Sequence, residues 1–226
     1  MIRIGGWLKG SLLGILCLLA GTVAAQTPEP PEPWGDRITL EIWSIADRIV
    51  HGETPVEERL LREAQVTLSA MIYGYDFIYT PEYPARGVER FFQLTPVGEI
   101  RWGDPRLRIR DLRDERTTLY ALIDYELSPN DRARLEAWRS AEVETGAGGG
   151  SAALREGYTG KIEALEEAIA RSIRDYLRHR YFNRPREVTG TVVLREPPRF
   201  RTVSGTYEAR VLVSIRITEV VPWVTF

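Results

Sequence analysis

Gly98-Glu-Ile-Arg-Trp-Gly-Asp-Pro-Arg-Leu-Arg108 and Gly190-Thr-Val-Val-Leu-Arg-Glu-Pro-Pro-Arg-Phe-Arg201 share one pattern. Each begins at Gly, alternates apolar residues, and closes on an acid, Pro, Arg, an apolar residue and Arg. A strand-like run follows each copy, Thr117 to Leu127 and Tyr207 to Ile217, and an amphipathic helix precedes each. Repeated units of this kind are sought first because they decide the architecture. The pattern predicts an α+β fold of duplicated helix-strand-strand units, with helices packed on a mainly antiparallel sheet.

Outward from the two copies, periodicity assigns the remaining elements. Ile38, Ile42, Ile45 and Ile49 recur at helical spacing and predict a helix over 36–50, although Ile38, Leu40 and Ile42 also alternate as a strand would. Thr54-Pro55-Val56-Glu57 reads as a helix start with Thr54 as cap, and Leu60, Leu61, Ala64, Leu68 and Met71 form its apolar face. Gly74 and the aromatics after it favour a strand with Tyr73, Tyr75, Phe77 and Tyr79 on one side. Strands are expected at Glu99–Trp102, Leu107–Leu112 and Thr117–Leu127, with Asp114-Glu115 in the turn joining the last two. Ser128-Pro129-Asn130-Asp131 opens a short helix with Ser128 as cap. Residues 145–160 begin Thr-Gly-Ala-Gly-Gly-Gly-Ser-Ala-Ala and read as a flexible linker. Lys161 to Phe182 is the clearest helix, and Val188–Leu194 and Tyr207–Val221 are strands.

Residues 1–25 have the layout of a secretory signal peptide: Arg3 and Lys9, an apolar run from Leu12 to Ala20, then Val23-Ala24-Ala25. The run is shorter than the ~20 residues of a membrane span. Residues 26–35 read as a Pro-rich spacer, 36–144 as a first α+β unit, 145–160 as the linker and 161–226 as the second helix-strand-strand unit. The one cysteine, Cys17, falls inside the signal, so the exported chain is cysteine-free and its core must hold it without disulfides. A formal charge of −2 argues against a nucleic-acid partner. Outside the signal, Lys161 is the sole lysine and the other strong bases are arginines. The terminal Trp223-Val-Thr-Phe226 suggests an outer-membrane barrel strand, but the helices leave no room for eight ~10-residue strands.

The chemistry implied is sparse. With Cys17 removed and only His51 and His179 present, no nucleophile-base pairing or zinc set is visible, so no catalytic residue, metal site or cofactor is assigned. The one enzymatic route is a carboxylate pair for glycan cleavage, drawn from Asp76, Glu82, Asp104, Asp124 and Glu126. Tyr73, Tyr75, Tyr79, Tyr83 and Trp102 are the candidate binding surface. Alternation favours core for Tyr73, Tyr75 and Phe77, and exposure for Tyr79 and Tyr83. The reading is therefore a periplasmic or secreted, non-enzymatic envelope protein that binds another envelope protein as an assembly or scaffold module. The alternative is a cell-wall glycan-binding protein or carboxylate-dependent glycoside hydrolase.

Overall fold

Two antiparallel sheets both pack against one helix, Val56–Ile72. The structure is a computed structural model that describes residues 35–45, 54–139, 143–181 and 184–223. The expected signal peptide, most of the expected Pro-rich spacer, His51 and the terminal residues 224–226 lie outside the described residues. The smaller sheet has the order β1-β5-β4, formed by β1 (Arg37–Ile45), β4 (Leu107–Glu115) and β5 (Thr118–Glu126). The larger has the order β3-β2-β7-β9-β6. Its strands are β2 (Tyr75–Thr80), β3 (Phe91–Pro96), β6 (Glu144–Ala153), β7 (Glu187–Leu194) and β9 (Thr206–Val221), with β8 (Arg199–Val203) also paired to β9. The helices are α1 (Val56–Ile72), α2 (Pro129–Ala137) and α3 (Gly157–Arg180). The α+β reading, with helices against antiparallel sheets, holds.

Helix α1 is central because it is apolar on more than one side. Leu60, Ala64, Leu68, Met71 and Ile72 are all buried, and the helix packs against β1, β5, β7 and α3. Burying each large aliphatic side chain contributes ~1.5–3 kcal/mol. The helix ends where Gly74, at φ 72°, takes a left-handed turn and its N–H bonds the Ser69 carbonyl at 3.0 Å. Its start differs from expectation. Pro55, at ψ 142°, precedes the helix and no side chain caps it, so Thr54 sits one residue too early to reach the first turn.

Helix-strand-strand order does occur twice, as α1–β2–β3 and α3–β7–β8, and the strands leaving the two helices pair antiparallel from Tyr75↔Val192 to Tyr79↔Val188. The two sequence copies, however, adopt different structures. Glu99–Trp102, expected as a strand, is irregular chain, and the first copy passes through a turn at Asp104 before entering β4. The second copy is β7, an interruption, and β8. Leu194 pairs with Val213 and Arg199 with Arg210, so Glu196, Pro197 and Pro198 bulge out where two prolines have no N–H for the ladder.

Three further expectations are corrected. Residues 37–45, expected as the start of a helix, are strand β1, with Ile38, Leu40, Ile42 and Ser44 turned inward and the intervening residues outward. The turn between β4 and β5 is Arg116-Thr117, with Arg116 at φ 59°, two residues beyond Asp114-Glu115. The expected Gly-rich linker at 145–160 is strand β6 as far as Ala153, paired with β9 from Glu144↔Ile215 to Ala153↔Thr206, and from Gly157 it is already α3. Its glycines allow α3 to lie on the strand at backbone contact. A Cβ on Gly148 would stand 2.3 Å from the Ala168 carbonyl oxygen, and one on Gly150 would stand 2.2 Å from that of Ala164.

The start of α2 follows expectation. The Ser128 hydroxyl accepts from the Asp131 N–H at 3.1 Å, and the Asp131 carboxylate accepts from the Ser128 N–H at 2.9 Å. Ser128→Ala should lower stability by ~1 kcal/mol. For a chain of this size that is a fall in Tm of roughly 2–4 °C by calorimetry; an unchanged Tm would show the cap to be idle.

Candidate functional site

The aromatic candidates do not form one surface. Tyr73 is the residue that closes α1 rather than part of β2, and its hydroxyl donates to Asp131 at 3.2 Å. Arg106 donates to the same carboxylate at 2.9 Å, so Tyr73 belongs to a structural cluster at the start of α2. Tyr75 is a core residue, and burial pushes its hydroxyl up to about 12. Trp102 is about half exposed, with the Arg62 guanidinium 4.4 Å from its ring centroid. Tyr83 packs edge-on to Trp223 at 5.9 Å, under Arg86. Tyr79 opens into a sizeable cavity.

That cavity is a groove of about 490 Å³ at the C-terminal end of α3. Buried Leu177 and Val188 form its apolar floor, and Tyr79 of β2 and Tyr181 supply aromatic walls. Tyr79 is held by Phe92 of β3, at 6.0 Å between ring centroids. Four arginines line the groove, Arg90, Arg174, Arg178 and Arg184, against two acids, Glu82 and Asp175. The partners are local: Arg90 to Glu82 at 3.3 Å, Arg178 to Asp175 at 2.8 Å, and Arg174 to Glu167 at 3.1 Å. Arg184 donates to the Glu82 carbonyl at 3.0 Å. Arg90, Arg178 and Arg184 are exposed, so these pairs are weak and exchangeable. A groove with surplus guanidinium charge and tyrosine walls is suited to carboxylates presented on an extended chain.

Sequence reasoning found Tyr79 but missed the arginines. Arg174 and Arg178 read along the chain as charges complementing the helix dipole, which their position in the last turns of α3 also satisfies. Arg90 and Arg184 reach the same place only because β2, flanked by β3 and β7, brings the loops around them together. His179, near the groove, contacts the Asp175 carbonyl through Nδ1 at 2.6 Å.

The five acids considered for catalysis are each engaged separately. Asp76 accepts from the Thr191 hydroxyl, Glu82 from Arg90, and Glu126 from Arg108. Asp104 accepts from Arg106, whose hydrogen bonds hold its carboxyl below the usual range against the opposing effect of burial. Asp124 is held low first by the Thr39 hydroxyl, then by Arg37 and Arg110, again against burial. Among the described residues no group of three or more His, Cys, Asp or Glu side chains is placed to hold a metal ion. No described helix is long and apolar enough to cross a membrane.

A protein-family model matches residues 30–223, so the chain belongs to that family, an uncharacterized one. An uncharacterized protein of Treponema pallidum (strain Nichols) is similar to it, 25% identical over 194 residues that cover 82% of each chain. No solved structure matches.

Proposed function

We propose that this family member is an exported, non-enzymatic envelope protein that binds an acidic, extended segment of another envelope protein in the groove beside α3. The observation that carries this reading is the convergence of Arg90, Arg174, Arg178 and Arg184 on a floor of Leu177 and Val188 between two tyrosines. Tyrosine and arginine are the residue types that anchor protein interfaces. Beside the groove lies β3, an edge strand that pairs only with β2 among the described residues and leaves Phe91 about half exposed. An incoming strand could extend the sheet there while its acidic side chains meet the arginines.

The test is a photo-crosslinking residue in place of Tyr79 in intact cells. A discrete protein adduct is expected. Arg174→Glu with Arg178→Glu should reduce it at least ~10-fold, because reversing two charges in a complementary interface costs well over 1.4 kcal/mol. Adducts to cell-wall glycan would transfer the groove to the polysaccharide reading. The absence of any adduct would remove the groove as a contact surface.

A further inference from the structure

At the other end of α3, a second cavity is lined by a buried arginine that has no direct ion pair among the described residues. The cavity measures about 390 Å³ and is lined by Thr54, Glu58, Arg59, Arg62, Glu156, Tyr158 and Thr159. Arg59 is only 5% exposed, yet neither its Nε nor its Nη1 has a hydrogen-bond partner among the described residues. The Tyr207 hydroxyl nearby is also buried and unpartnered. Glu57, which attracts Arg59 without an ion pair to it, and Glu156 are exposed to solvent, and the other neighbouring charges are already committed. Arg62 donates to Glu58 at 2.7 and 2.9 Å, and Glu63, the next acid along α1, is bound to Lys161. A buried guanidinium keeps its charge, and leaving one uncompensated is strongly unfavourable.

The backbone adds to this. The cavity touches the first turns of both long helices, through Glu58 and Arg59 of α1 and Tyr158 and Thr159 of α3. Neither helix has a side-chain cap, so the N–H groups of both starts remain at this corner of the molecule, beside Glu57 and Glu58 in the first turn of α1 and Glu156 just before α3. Burial pushes the Tyr158 hydroxyl up to about 12, so it remains a proton donor at every ordinary pH. Glu58 is paired with Arg62 and Glu156 is solvated, so the buried guanidinium, the hydroxyls and the helix starts are the donors left over, and together they favour an oxyanion.

We propose that this cavity binds the phosphate or carboxylate group of a small anionic ligand, with Arg59 as its anchoring cation. The site is separate from the groove, since the 24 residues of α3 span about 36 Å between them. The experiment is thermal unfolding of the whole chain in sodium phosphate, sodium acetate or sodium chloride at matched ionic strength. Phosphate or acetate should raise Tm saturably by about 5 °C or more at ~100 times its Kd, and chloride should not. The more effective of the two anions identifies which group the site takes. Arg59→Met should abolish the shift, while Arg178→Glu in the groove leaves it intact. Should Arg59→Met fail to fold, Tyr158→Phe with Thr159→Ala should weaken the apparent affinity at least ~5-fold. Equal shifts in all three salts, or an undiminished shift in the variants, would overturn the proposal.

Discussion

Lys161→Met should lower stability by about 3–5 kcal/mol, whereas Lys161→Met combined with Glu63→Met should cost far less or nothing. Lys161 is 2% exposed and Glu63 is 4% exposed. The ammonium donates to both Glu63 carboxylate oxygens, at 2.7 and 2.8 Å, and to the Trp43 carbonyl at 2.7 Å, which uses all three of its protons. It also lies 4.1 Å from the Trp43 ring centroid and 4.8 Å from that of Phe200. This one side chain therefore ties α3 to α1, β1 and β8. Removing it alone leaves a carboxylate buried without a partner; replacing both groups with apolar ones removes the charge and its desolvation cost together.

The single variant should also gain a pH dependence. Burial pushes the Glu63 carboxyl up, and Lys161 pulls it back toward its ionised form. Without Lys161 only the upward effect remains. The folded state of the variant then binds a proton that the unfolded state releases above ~4.3, so its stability falls as pH rises beyond that value. Urea unfolding at pH 5 and pH 8 should show the penalty growing with pH for Lys161→Met but not for the double variant. Equal penalties for the single and double variants would mean that the pair does not act as a unit.

Lys161 also shows where the sequence stops being informative. Its solitude among arginines is visible in the chain, but Glu63, 98 positions away, looks like any other acid on a helix. Long apolar stripes were legible: α1 and α3 each differ from expectation by a few residues at most, because a stripe sustained over four turns fits only one period. Residues 37–45 were ambiguous for a physical reason. Ile38 and Ile42 stand four apart, and a spacing of four satisfies both a helix and a strand. The pairing with β5, from Arg37↔Glu126 to Ile45↔Thr118, resolves the ambiguity, and pairing cannot be read from a segment alone. The cavity at Arg59 was equally hidden, because its donors come from two helix starts about 100 residues apart.

The Gly-rich segment was misread because composition describes what a chain can do when nothing holds it, and here α3 holds it. That difference gives a sharp contrast between adjacent residues. Gly150→Ala should cost about 3 kcal/mol or more, at the upper end of overpacking effects. The new methyl would stand 2.2 Å from the Ala164 carbonyl oxygen and 2.4 Å from the Ala168 amide nitrogen. These are backbone atoms of a helix, so no side-chain rotation relieves the clash and α3 must move off the sheet. Gly149→Ala is the control. Its methyl would meet only the Ala209 carbonyl oxygen at 3.6 Å, an ordinary contact. It should be neutral or stabilising by up to ~1 kcal/mol, since it removes freedom from the unfolded chain. A flexible linker would treat the two substitutions alike. Denaturant midpoints of the two variants therefore separate the readings, and similar midpoints would mean that α3 does not rest on β6 at backbone contact.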